Sequence, residues 1–270
     1  MRELWLRQIR GVMGLELRRT LLSGRAIPVY LLAMFPVAMM SLFFVVAIIA
    51  GDLPPLQEGV LIYAGVYQSI LRGFLYLGAV WTFMNLFRGE VLDRSLHYYF
   101  LAPIRREVLA VGKFVAGWAS TSILFVASAV LSLVIFFASF GTSAFSNYVL
   151  GGPGFGQLLS YVGVTLLACL GYGAVFLVVG LLFRNPIIPA VIIWFWEFLN
   201  PFMPAVLKKV SVIFYLDSLL PVALPPSPFS VVAEPVPAWL AVPGFLLFTA
   251  ATLVVAGLRI RHMEIAYTAD

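Results

Sequence analysis

The chain has 270 residues, 62% of them hydrophobic and only 11% charged, with a formal net charge of +5. Soluble domains carry roughly 25% charged residues, so this composition excludes an ordinary soluble enzyme or binding module and indicates a membrane protein. The apolar residues fall in separate long blocks, close to the about 20 residues a helix needs to cross a bilayer core of about 30 Å. A membrane barrel is built instead from alternating segments of about ten residues, so the chain is read as an all-α polytopic membrane protein.

The first 25 residues form a segment of their own. Leu6, Ile9, Met13 and Leu17 recur at helical spacing, and Glu3, Arg7, Arg10 and Arg18 share the opposite face. This is the pattern of an amphipathic helix lying in the membrane interface. A signal peptide would instead have a short charged stretch leading directly into an apolar run and a cleavage site. Six spans follow in a transmembrane domain over 26–258, at 26–50, 61–87, 114–140, 157–183, 186–206 and 239–258, ahead of a tail at 259–270. Ala116 with Ser120, and Ser128 with Ser132, offer small-residue positions for close helix contact in the third span.

Orientation follows from the basic residues, because loops left in the cytosol keep their positive charge. With the N-terminus inside, the cytosolic side holds Arg2, Arg7, Arg10, Arg18, Arg19, Arg25, Arg88, Arg94, Arg105, Arg106, Lys113, Arg184, Arg259 and Arg261. These are fourteen of the seventeen basic residues. Lys208 and Lys209 fall outside, and Arg72 lies within a helix. Both termini are therefore expected inside. The positive charge suits an anionic leaflet, and no nucleic-acid motif accompanies it.

The connection between the second and third spans, residues 88–113, is the longest polar connection on the cytosolic side. Glu90, Asp93 and Arg94 open it, an apolar and aromatic run from Leu96 to Leu101 follows, and Pro103 breaks the helix before Arg105, Arg106 and Glu107. Two short helices presenting charge and aromatic surface to the cytosol make a docking surface. Two charges lie inside spans. Arg72 is on the order of 22 Å from the cytosolic end of its helix and Glu197 roughly 17 Å from that of its own, at 1.5 Å per residue. Isolated charges at such depth are costly. Either Arg72 pairs with Glu197, or it snorkels toward the outer surface. The outer segment 200–237 holds eight prolines, which exclude a long helix. Its stretch 205–220 reads either as a short re-entrant helix or as a capping loop.

Chemistry-bearing clusters are sparse. The single Cys169 sits among apolar residues as a packing group, and neither His97 nor His262 stands beside metal-ligand spacing. Gly112-Lys113 lacks the remainder of a phosphate loop, so ATP does not bind by that route.

The order Glu90, a charged turn, Leu96 through Leu101, then Ala102-Pro103-Ile104-Arg105-Arg106-Glu107, then Gly112-Lys113 entering a membrane helix resembles the permease subunits of ABC-2 type transporters. In that family the region reads as a Glu, a Gly-Thr or Gly-Ser pair, leucines, Pro, a small residue, Arg and finally Gly-Lys. Arg94-Ser95 stands where the Gly pair is common, which makes that turn more helical. The interfacial helix, the six spans, the short loop Arg184-Asn185-Pro186 and the Pro-rich outer segment extend the resemblance over essentially the whole chain.

The resemblance implies an exporter's membrane subunit in the inner (plasma) membrane, working with a second permease copy or paralogue. It would be driven by a separate ABC ATPase subunit, which carries the ATP and Mg, so the chain itself has no catalytic, cofactor or metal residues. It also implies a coupling helix in 88–113 with Glu90, Asp93, Arg94, His97, Tyr98 and Arg105 at the ATPase, and it sets Arg72 and Glu197 near the dimer interface and substrate path. Partners are the ATPase, the second permease and membrane lipids, with no nucleic acid. An ATP-independent carrier and a polytopic membrane enzyme are the alternatives, and a stable ATPase partner separates the first reading from both.

Overall fold

The computed structural model describes residues 2–51, 53–92, 105–183, 185–225, 230, 231 and 234–261. No strand forms among the described residues. In hydrocarbon every backbone polar group needs an internal partner, and a helix supplies one within the same segment.

Helix α1 (Arg2–Leu22) is joined through a 3-10 turn at Gly24–Ala26 to α2 (Ile27–Ala50). Gly51, at φ 64°, ends α2 in the left-handed conformation and donates its N–H to Ala47 O at 3.0 Å. Pro55 then caps α3 (Leu56–Ser69), which continues through a π-helical turn at Ile70–Leu75 into α4 (Tyr76–Leu92). The longest helix is α5 (Arg106–Ala138), followed by α6 (Gly154–Leu182), α7 (Ile187–Leu199), the short α8 (Val212–Ser218) and α9 (Ala238–Arg261).

Among the described residues, five stretches are long and apolar enough to cross a membrane: Gly24–Ala50, Leu56–Phe87, Arg106–Ala138, Gly154–Leu182 and Ala238–Arg261. The block at 186–206, expected as a sixth span, forms a shorter apolar helix, Ile187–Phe202, whose last turn is 3-10. The α-helical part covers 13 residues, or about 20 Å. Pro201 lies in the 3-10 turn and Pro204 follows it, so the run cannot continue as a regular helix.

Helix α5 is the axis of the bundle and packs against α1, α2, α4, α6 and α9. Ala116, Gly117, Ser120, Thr121, Ser128 and Ser132 are buried along it and let the neighbouring helices approach closely. Large rings fill the facing positions. Phe125 lies against Gly78 and Phe83 against Gly173, in space that a Cβ on either glycine would occupy.

Tyrosines on the α3–α4 rod fasten it to three partners. Tyr63 Oη donates to Ala129 O at 2.9 Å, Tyr67 Oη to Tyr161 O at 2.7 Å and Tyr76 Oη to Ala190 O at 2.8 Å. A phenol hydroxyl in hydrocarbon must find an acceptor. Each of these takes a carbonyl of α5, α6 or α7.

Replacing Gly173 by Leu is expected to lower stability by about 1–3 kcal/mol through overpacking against Phe83. Gly65→Ala, where a Cβ meets open space, is the neutral or stabilising control. Thermal unfolding of the two variants in detergent, followed by tryptophan fluorescence, checks both.

Candidate functional site

Polar side chains gather at the two ends of the bundle. At one end, hereafter the near end, α1 lies along the start of α5. Arg105 stands 5.1 Å from the centroid of the Trp5 ring, a Cβ on Gly112 would touch Val12, and Lys113 pairs with Glu16. These contacts advance together along both helices, so α1 follows the first two turns of α5 side by side. Gly112 is needed for that approach because any side chain there would push α1 away.

Lys113 Nζ contacts Glu16 Oε1 and also donates to Leu86 O at 3.2 Å, and it lies 5.4 Å from the centroid of the Phe87 ring. The two side chains are 0% and 4% exposed. A charge so buried requires a partner, and Glu16 and the α4 carbonyl provide it. Lys113, expected among the cytosolic charges that fix topology, is therefore a buried structural group. The inward face of α1 is also corrected: Val12 and Glu16 are buried, whereas Ile9, Met13 and Leu17 are only half-buried. The lysine demands a carboxylate, and this overrides the apolar pattern.

The near end also ties α9 to α5. Arg261 Nε pairs with Glu107, and Arg106 donates to Arg261 O at 3.1 Å. Of the residues expected to couple to an ATPase, Arg105 is the N-cap residue of α5 and lies over Trp5. Glu90 is in α4, though its side chain lies outside the described residues, and so do Asp93, Arg94, His97 and Tyr98.

At the far end the expected Arg72–Glu197 pair does not form. Arg72 Nη2 donates to Asp217 Oδ2 at 2.6 Å, and Gln68 Nε2 donates to Asp217 Oδ1 at 3.1 Å. The two ion-paired side chains are 21% and 25% exposed. Arg72 sits in the π-helical turn, where the helical register shifts locally; such turns are frequent at functional positions.

Glu197 is occupied elsewhere. Its carboxylate accepts the backbone N–H groups of Val212 and Ile213, both at 2.9 Å, with Ser211 Oγ at 2.7 Å and Tyr172 Oη at 3.3 Å. The first N–H groups of a helix have no partner within it, and Glu197 satisfies two of those opening α8. Four donors and the positive end of a helix compensate this buried carboxylate, so it needs no arginine. The segment read as either a re-entrant helix or a loop thus holds a helix with Val212, Ile213, Phe214 and Leu216 buried.

The far-end polar groups border a cavity of about 260 Å³ with Arg72, Asn200, Lys208, Asp217 and Ser218 on its walls. Burial, with Arg72 nearby, holds the Lys208 ammonium below the usual lysine range, against the opposing pull of Asp217. Asp217 was one of the few acidic residues available to Arg72, and that scarcity was the signal for it. No group of metal-ligating residues gathers among the described residues, and Cys169 is a buried free thiol.

Two outcomes are expected. Lys113→Met, which leaves Glu16 buried and unpaired, costs about 3–5 kcal/mol of stability, and adding Glu16→Leu recovers most of it, as thermal unfolding of the two variants reads out. Arg72→Asp and Asp217→Arg each speed proteolysis of the 200–220 segment, and the double exchange restores resistance, whereas exchanging Arg72 with Glu197 does not. No protein-family model, curated protein or solved structure matches the chain.

Proposed function

We propose that the chain is the membrane-spanning permease subunit of an ABC-2 type transporter. It crosses the inner (plasma) membrane six times with both ends in the cytosol, Ile187–Phe202 making the short fifth pass. It pairs with a second permease copy or paralogue and exports its substrate with energy from a separate ATPase. The observation that carries the reading is the connection between α4 and α5. It gathers Asp93, Arg94, His97 and Tyr98, with Glu90 at the end of α4 just before it, and it leads into α5 and the buried Lys113.

Coupling requires an element that contacts the ATPase differently in its two states. Movement of this connection pulls on α4, which ends before it, and on α5, which begins after it. Lys113 holds both to α1 through Leu86 O and Glu16, so the three helices respond as one unit. Charges set the register of such a dock, and the aromatics between them supply buried contact area.

The test is co-purification. The C-terminally tagged protein is extracted gently from its native membrane and its companions are identified by mass spectrometry, beside a Glu90→Arg, Arg94→Glu double variant. A nucleotide-binding subunit retained by the wild type and lost from the variant is the expected result. Its absence under several mild detergents favours the carrier or enzyme reading instead.

A further inference from the structure

The far-end cavity carries an unbalanced charge that neither the coupling reading nor the packing of the outer segment uses. Two cations, Arg72 and Lys208, and one carboxylate, Asp217, stand on its walls. Both oxygens of Asp217 are engaged, one by Arg72 and the other by Gln68. The buried Glu197 is not on those walls, and its carboxylate is taken by Tyr172, Ser211 and the first N–H groups of α8. One positive charge is left over, and it belongs to Lys208.

Lys208 closes the short helical turn Ala205–Lys208 and is only 7% exposed. Asn200 Nδ2 donates to its carbonyl at 3.2 Å, which holds the turn against the end of α7. The ammonium donates to Val231 O, and Val231 N–H in turn donates to Pro201 O at 3.0 Å. A carbonyl accepts a hydrogen bond but brings no charge, and an ammonium has three protons to place. The other buried lysine, Lys113, is paired with Glu16, whereas Lys208 meets no carboxylate. A buried cation without a counter-ion is costly. Burial and the nearby Arg72 hold this ammonium below the usual lysine range, as they must where cations outnumber anions.

Arg72 adds a second donor group. Its bond to Asp217 runs through Nη2, and its Nε, shut off from solvent, has no partner. Guanidinium groups bind oxyanions best through two parallel N–H groups, so Asp217 holds this one in place without saturating it. The cavity encloses about 260 Å³, just under the roughly 300 Å³ at which small-molecule sites begin. It therefore takes a small solute or one end of a longer molecule.

We propose that the far-end cavity binds an oxyanion, a carboxylate or phosphate group, between Lys208 and Arg72, with Asp217 positioning the arginine. Two sources carry that group: a small soluble anion and the headgroup of an anionic lipid. The inference goes beyond the permease reading and does not need it, since a chain without an ATPase partner would still bind the anion.

The experiment is calorimetric titration of the full chain, purified in neutral detergent, at an ionic strength held constant with sodium chloride. The probes are inorganic phosphate, acetate and short-chain phosphatidylglycerol, with short-chain phosphatidylcholine as the uncharged control. Saturable binding of an anionic probe is expected. Lys208→Gln is expected to weaken it about tenfold, the loss of one charge-assisted hydrogen bond. Asp217→Asn removes the competing negative charge while keeping an acceptor for Arg72, and is expected to tighten binding severalfold, a gain that misfolding cannot produce. Lys209→Gln is the control, because its side chain borders a different cavity, and it leaves binding unchanged. Phosphate or acetate following this pattern supports the site with a soluble anion as ligand. Phosphatidylglycerol alone following it, with phosphatidylcholine silent, supports it with the headgroup as ligand. No saturable binding of any anionic probe, equal losses in Lys208→Gln and Lys209→Gln, or binding untouched by Lys208→Gln and Asp217→Asn overturns the proposal.

Discussion

A lysine ammonium with no exposure to solvent is the constraint on which the near end of this protein depends. Lys113 lies on the central helix at a depth where a lone charge is not tolerated, so its neighbours must supply a carboxylate and an acceptor. Glu16 and the Leu86 carbonyl do so. The consequence is geometric: α1 is drawn alongside α5, and Gly112 clears the space for it. The N-terminal helix is therefore held by a buried ion pair, and its apolar stripe contributes only in part. Removing one partner costs far more than removing both, because the penalty is that of the charge left behind.

The far end solves a similar problem with different means. Helix α8 is seven residues long, too short to be stable by itself in water, and it is anchored at both ends. Glu197 takes the N–H groups of its first turn, and Asp217 in its last turn meets Arg72 and Gln68. Each carboxylate satisfies donors that would otherwise be buried alone. The outer segment is thereby fixed to the α3–α4 rod and to α7, with the π-helical turn at Arg72 in between. The rod meets this segment through Arg72 and Gln68, both bonded to Asp217.

Between the two ends, the apolar bundle is held by tyrosine hydroxyls donating to main-chain carbonyls and by rings set against glycines. Hydrophobic burial alone discriminates poorly among helices in lipid, since the tails are as apolar as the side chains. Hydrogen bonds of defined geometry and close small-residue contacts fix which helices are neighbours and in what register.

The sequence by itself determined the helical class and the place of the long apolar helices, because these depend on local runs of apolar residues, while the block at 186–206, read there as a sixth span, proved a shorter helix ended by Pro201 and Pro204. It also marked Arg72 and Glu197 as unusual, since charge inside an apolar run is visible without a fold. What only the tertiary structure decided is which charge meets which. Lys113 and Glu16 lie 97 residues apart, and Arg72 and Asp217 lie 145 apart. Nothing local in either stretch announces the pairing. Arg72 and Glu197 are at compatible heights, yet they take other partners because the first turn of α8 presents N–H groups to Glu197 while the last turn presents Asp217 to Arg72. The inward face of α1 was hidden for the same reason. Its buried line runs through Val12 and Glu16, to one side of the stripe Leu6, Ile9, Met13 and Leu17, and the carboxylate is buried there because a lysine across the interface meets it.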